Sequence, residues 1–374
     1  VGPHFRSAAE RYVALDAFRF IAALGILLHH CAIYADVMRW NVHVTAFDNF
    51  RLCVDFFFAL SGFVLMHVYG GAIRTGNDYV RFLQKRFARI YPLHALMVIV
   101  FVVLALAVAG KPMAERIAPV LEPAAALPNL MLLHSFGITQ TLSLDFPSWS
   151  ISAEWFLYLL FPTLAAFVLR IGPRGAIISA IVFALMLAIA RETFGLRDWT
   201  RSTFDFGMLR ALPSFVAGVA VCGFIERAPL RRLSWNWVYG AGLLLIALML
   251  SPTPAAVTIA LFPAFIGLVA LADRSGRPTF LTRSPFPALG DASYSVYMLH
   301  ALVMLVAAEA TNAAGMKGLL ALAALTSATI AMTIPLALIS FRFYEAPMRR
   351  WLSPSATPTY RLRPAARRRS IASE

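Results

Sequence analysis

Apolar residues gather in long runs separated by short charged or Gly/Pro-rich segments. The runs fall at 15–34, 52–70, 90–109, 151–169, 175–190, 207–225, 236–250, 255–272, 291–310 and 318–341. A bilayer core about 30 Å thick is crossed by roughly 20 helical residues. The pattern therefore predicts an all-α polytopic membrane bundle with about ten transmembrane helices. The stretch 124–138 is apolar but short and bears Pro123 and Pro128 near its start, so it reads as a re-entrant or surface helix. One membrane domain, 15–350, is expected between an N-terminal segment, 1–14, and a disordered basic tail, 351–374.

Composition agrees. The 374 residues are 60% hydrophobic and 14% charged, against about 45–50% and 25% in soluble domains. A soluble globule, a disordered chain and a collagen-like repeat are all excluded. The net charge of +14 would suggest nucleic acid in a soluble chain, but here its placement matters more. Loops on one side of the ten spans sum to +17 and those on the other to 0. Positive loops stay inside, which predicts cytoplasmic termini, a lipid-bilayer partner and no nucleic-acid partner. Counting 124–138 as a span would break this alternation. All seven Trp (40, 149, 155, 199, 235, 237 and 351) fall at or beyond span ends, the pattern of an interfacial belt. Cys31, Cys53 and Cys222 stand alone in apolar runs and read as core filler. The first run is a full span without an Ala-x-Ala exit, so it reads as a helix rather than a cleaved leader.

Ionisable groups inside spans are costly and mark function by default. The first span carries Asp16, Arg19, His29 and His30. Arg19 and His30 lie eleven residues apart, about three helical turns or 17 Å, on one stripe. A cation near the cytoplasmic end and a proton acceptor near the other is one reading. A snorkelling arginine and a helix-end histidine is the other. His29, turned about 100° away, reads as a packing residue. In the fourth span Ser150, Glu154 and Tyr158 recur at i, i+4, i+8 on one face. The carboxylate there can hold the histidine's tautomer or position an acceptor hydroxyl; a plain helix start with an early Glu is the alternative. Arg81, Lys85, Arg86 and Arg89 precede Tyr91-Pro92. Arg86 and Arg89 can face one way and suit a phosphate-rich ligand, or serve only as positive-inside anchors. Asp55, Arg210, Asp291, His300 and Glu309 are further intramembrane polar residues. No metal-ligand spacing, nucleophile elbow or phosphate loop is present, so no metal and no permanently bound cofactor is expected.

Several of these segments resemble the blocks of the acyltransferase-3 family of integral-membrane O-acyltransferases. The resemblance runs through Leu15-Asp16-Ala17-Phe18-Arg19 to His30, then Cys53-Val54-Asp55-Phe56-Phe57-Phe58-Ala59-Leu60-Ser61-Gly62-Phe63. It continues in Arg86-Phe87-Ala88-Arg89-Ile90-Tyr91-Pro92, Pro147-Ser148-Trp149-Ser150-Ile151-Ser152-Ala153-Glu154, Ser293-Tyr294-Ser295-Val296-Tyr297-Met298-Leu299-His300 and Tyr344-Glu345-Ala346-Pro347. Phe20 and Cys53 depart from the family pattern without removing a reactive group. The chain ends soon after the tenth span, so no extracytoplasmic esterase-like domain is expected on it.

The resemblance implies transfer of an acyl group, most simply acetyl, from a cytoplasmic acyl-CoA co-substrate (acetyl-CoA) to a hydroxyl. The implied acceptor is a cell-surface or exported glycan, and the implied location is the bacterial inner membrane. It implies His30, Glu154 and Arg19 as catalytic residues. Arg19, Arg86, Arg89 and Tyr91 would hold the donor, with Asp16, Asp55, Ser150, Tyr158, Arg210, His300 and Glu345 in support. Direct transfer and a covalent acyl-histidine stay open. The competing class is a proton-coupled carrier or flippase using the same buried Arg, His and Glu residues; acyl-CoA thioester cleavage separates the two.

Overall fold

The computed structural model describes residues 11–42, 44–109, 122–229 and 233–353. The tail from 354 onward and most of the N-terminal segment lie outside the described residues. Among the described residues no strand occurs.

The chain forms α1 (Val13–Val37), α2 (Cys53–Tyr69), α3 (Gly76–Val108), a short α4 (Ala126–Leu130) and α5 (Trp149–Thr193). It continues with α6 (Gly207–Arg227), α7 (Trp235–Met249), α8 (Ala255–Arg274), a short α9 (Phe286–Asp291), α10 (Ser293–Ala313), α11 (Gly318–Ser340) and a short α12 (Ala346–Leu352). Eight helical stretches are long and apolar enough to cross a bilayer by length and composition, and α7 is apolar but shorter. The ten predicted runs map onto these nine because α5 carries two of them. Its break is Gly172, at φ +77 and followed by Pro173. Only glycine reaches that conformation without a Cβ penalty, and it sits in the predicted loop between the fourth and fifth runs.

Two boundaries move. The second membrane stretch starts at Thr45, where a 3₁₀ turn runs into α2. Helix α3 starts at Gly76 rather than near residue 90, because Thr75 and Asp78 cap each other reciprocally. Such a box satisfies two of the donors a helix start leaves open. Arg81, Lys85, Arg86 and Arg89 therefore ride on a rigid helix instead of a loop. The 124–138 stretch does not span. It folds back as α4 and turns, with Asn129, His134 and Ser135 buried.

Helix α1 is apolar on nearly all faces and is packed by α2, α8, α9, α10 and α11, as expected of a central helix. Helices α2 and α6 meet backbone to backbone. A Cβ on Gly62 would lie 2.1 Å from the Phe215 carbonyl oxygen, and one on Gly218 would lie 1.9 Å from that of Ala59. Small residues at such crossings are how membrane helices gain packing energy without a hydrophobic driving force. The tryptophan belt needs correction. Trp40, Trp149, Trp199 and Trp235 are buried within the protein, and only Trp237 and Trp351 are strongly exposed. Two of the buried indoles have internal partners: Trp235 Nε1 donates to the Arg277 carbonyl at 3.0 Å, and the Trp149 ring lies 5.2 Å from the Arg210 guanidinium carbon. The three cysteines are free and buried, as expected of filler.

Candidate functional site

Four short motif blocks converge because their helices do. Gly290, at the end of α9, comes so close to α1 that a Cβ there would lie 2.5 Å from the Asp16 carbonyl oxygen. That contact docks the start of α10 beside the first turns of α1. Helix α3 is joined to α10 by the Tyr294 hydroxyl, which donates to the Ile90 carbonyl at 2.5 Å. Tyr344 reaches the same α3 turn through the Pro92 carbonyl, at 3.1 Å.

Between α1, α2, α3, α5 and α10 lies a cavity of about 120 Å³. Its walls carry Arg19, Ser61, Arg86, Arg89, Ser150, Glu154, Tyr158 and Tyr297. Three guanidiniums from α1 and α3 thus face one space. Glu154 Oε1 accepts from Ser61 Oγ at 3.0 Å and from the Tyr158 hydroxyl at 2.5 Å. Arg89 pairs with the buried Glu345 at 3.7 Å, and Glu345 also accepts from Ser295 Oγ at 2.9 Å. Arg86 donates to the Tyr69 hydroxyl at 3.3 Å and lies against the Tyr69 and Tyr158 rings. Its Nε is buried without a hydrogen-bond partner. Arg19 reaches Asp16 at 3.5 Å, and Asp16 is also bonded by Arg11 at 2.6 Å. A buried donor left unmet costs about 1–3 kcal/mol. Three guanidiniums, one with an unmet donor, thus share the cavity with the Glu154 carboxylate.

The predicted residues divide into three groups. Arg19, Arg86, Arg89, Ser150, Glu154 and Tyr158 share the cavity. His30 is not among its walls. Its ring packs edge-on to Phe146, and its Nδ1 lies 2.7 Å from His300 Nε2, with the two rings parallel to within 3°. The imidazole's partner is thus His300 and not Glu154, whose carboxylate is engaged by Ser61 and Tyr158. Tyr297 links the two places. It lines the cavity and packs on His300, while its hydroxyl donates to the Pro147 carbonyl at 2.6 Å and meets Ser150 Oγ at 2.7 Å. His29 is buried, with Nδ1 3.0 Å from the Phe47 carbonyl oxygen, a packing residue as read.

Asp55 and Arg210 are apart from the cavity. They form a wholly buried ion pair between α2 and α6, with contacts of 2.5 and 3.2 Å. Tyr91 stacks on Phe87 with centroids 4.2 Å apart and does not line the cavity. Sequence reasoning passed over Ser61 and Tyr297, although both stand inside quoted motif blocks. Among the described residues, one grouping has metal-ligand character: His67, Cys222 and Glu226, whose ligand atoms lie within 4.8 Å of one another. His67 and Glu226 are already hydrogen-bonded there at 2.8 Å.

The loop before α5 holds a separate oddity. Asp145 is fully buried, and neither carboxylate oxygen has a hydrogen-bond partner. Burial alone pushes its pKa well above the ordinary value. Nearby His134, parallel to His94 and 3.2 Å from Ser148 Oγ, is pushed down to about 3 by burial.

A multi-helix membrane protein with an arginine-walled cavity and a buried histidine pair is the class that the fold and its polar interior define. Residues 12–341 match the acyltransferase domain of the acyltransferase-3 family, and the chain belongs to that family. It is 29% identical over 324 residues to the acyltransferase MdmB of Streptomyces mycarofaciens, covering 78% of this chain and 79% of that protein. It is 26% identical over 387 residues to the O-acetyltransferase OatA of Staphylococcus aureus, covering 91% of this chain but 58% of OatA. Protein 2 in the picA locus of Rhizobium radiobacter is 32% identical over 200 residues, half of this chain and 99% of that protein. No solved structure matches the chain. The protein is a multi-pass membrane acyltransferase.

Proposed function

We propose that this acyltransferase moves an acetyl group from acetyl-CoA, bound from the cytoplasm, to a hydroxyl of a cell-surface or exported glycan. Its place is the bacterial inner membrane, with both termini inside. The observation that carries this reading is the cavity where Arg19, Arg86 and Arg89 converge. Coenzyme A brings phosphates, and guanidiniums bind phosphate by charge-assisted, bidentate bonds. The O-acetyltransferase relative supports acetyl as the group moved.

The reaction balances on the chain's own groups. As the acceptor oxygen attacks the thioester carbonyl, its proton passes to the His30 imidazole. The tetrahedral intermediate then collapses, the carbon–sulfur bond breaks, and the departing thiolate takes the proton from His30. The products are the ester and free coenzyme A. Glu154, held by Ser61 and Tyr158, keeps a fixed carboxylate among the arginines to orient donor or acceptor polar groups.

The experiment is donor kinetics on the Arg86→Ala, Arg89→Ala double variant. Bonds to a bound phosphate are made alike in ground and transition states, so their loss raises KM more than it lowers kcat. Each charge-assisted bond contributes about 1.5–3 kcal/mol, which sets the expected rise in acetyl-CoA KM at about tenfold or more. An unchanged KM with a lowered kcat takes the two arginines out of the donor site.

A further inference from the structure

We infer that His300 is a positioning residue that fixes the tautomer of His30 and leaves the lone pair of His30 on Nε2. The inference rests on reading His30 as the proton acceptor, and it adds the group that prepares it.

A backbone carbonyl only accepts. The Tyr297 carbonyl oxygen lies 2.6 Å from His300 Nδ1, so that nitrogen carries the hydrogen. His300 is fully buried, and among the described residues its hydrogen-bond partners are backbone carbonyls and His30, with no carboxylate. A charged imidazole without a counterion is costly at such a position, so the ring is neutral and its Nε2 offers only a lone pair. The 2.7 Å contact to His30 Nδ1 then requires a hydrogen on His30 Nδ1. Neutral His30 has one N–H, so its Nε2 is the basic nitrogen. Among the described residues, no protein group engages that nitrogen.

The source of this order is itself anchored. The Tyr297 hydroxyl donates to the Pro147 carbonyl, and Ser150 Oγ closes on the same hydroxyl at 2.7 Å. The start of α5 thus locks the residue whose carbonyl orients His300, which orients His30. During transfer the Nδ1–H bond persists, and the imidazolium formed on His30 keeps a lone pair facing its positive N–H. Ser-His-Asp enzymes place an orienting group on the far side of the base in the same way, and a partner that imposes the wrong tautomer there lowers turnover about 10⁴-fold.

The test compares His300→Leu with His300→Gln in detergent-purified full-length protein. Leucine conserves volume and removes the acceptor, whereas glutamine sets an amide oxygen near the former Nε2. Expected is a loss of kcat of at least about tenfold in the Leu variant, with unchanged acetyl-CoA KM, and turnover within a few-fold of wild type in the Gln variant. A second readout needs no acceptor: the rate at which diethylpyrocarbonate modifies His30, mapped by mass spectrometry, falls in the Leu variant and holds in the Gln variant. His300→Met replaces the Leu variant if that protein does not elute as a single folded species. Wild-type modification rate and kcat in the apolar variant would overturn the inference. So would a Gln variant as inactive as the Leu one, which would make His300 a proton carrier. His30→Ala, run in parallel, reports separately on the function: if it transfers normally, that reading fails while the modification data still decide the tautomer.

Discussion

Asp145 shows how a single group can set the pH response of the whole fold. Both its oxygens are buried and unpartnered, so the folded state favours the neutral carboxyl. Its folded pKa is raised well above 3.8, so its effect is absent below the unfolded pKa and grows as pH rises towards the folded one. Stability should then fall as pH rises from the unfolded value of 3.8 towards the raised folded one, because the unfolded chain ionises there and the folded chain resists. Asp145→Asn removes that ionisation. Its thermal midpoint should vary less over this range than that of wild type, with the largest gain at the alkaline end. Equal slopes for both proteins in a thermal-shift series would show that Asp145 is solvated. The same scale shows what the sequence hides. Arg19, Arg86, Arg89 and Glu154 were legible because charge in an apolar run is conspicuous. His30 and His300, 270 residues apart, carry no shared periodicity, and the packing of α10 along α1 brings them together.

At the scale of elements, packing of α2 on α6 fixes one wall of the cavity and holds the Asp55–Arg210 pair. The crossing depends on two glycines, and Gly218 is the tighter. Gly218→Val would drive a side chain into the Ala59 carbonyl, 1.9 Å from where its Cβ must stand. Overpacking of this kind costs about 1–3 kcal/mol, and separating the helices also strains a buried ion pair, whose disruption is costly. The variant should unfold at a clearly lower temperature and lose activity in proportion to folded protein. A wild-type midpoint would mean the crossing is loose. The apolar runs located every long helix, since lipid-facing side chains such as Val103, Leu106, Ile178 and Leu185 remain exposed and must be apolar. What hydropathy missed was backbone chemistry. The Thr75–Asp78 cap begins α3 in polar sequence, ahead of its apolar run, whereas the Gly172 break fell in the loop predicted between the fourth and fifth runs. Tryptophans were misplaced for a related reason: a position at a span end does not reveal whether an indole turns to lipid or to a buried carbonyl.

For the whole molecule, the layout sets two polar clusters apart along the first helix. The arginine-walled cavity surrounds Arg19, and the histidine pair lies about 17 Å further along the same helix, with Tyr297 packed between them. On the proposed function, that span suits a long donor whose charged part and reacting carbonyl are handled at different depths. The measurement that tests this most directly follows radiolabelled acetyl from acetyl-CoA, together with release of the coenzyme A thiol, in membranes containing wild-type, His30→Ala or His29→Ala protein. Wild type and His29→Ala should release thiol and transfer label to membrane glycan. His30→Ala, equally abundant and still binding acetyl-CoA, should fall by about 10²–10⁴-fold, the usual contribution of a positioned base. No thiol release by wild type, or undiminished release by His30→Ala, would contradict the account.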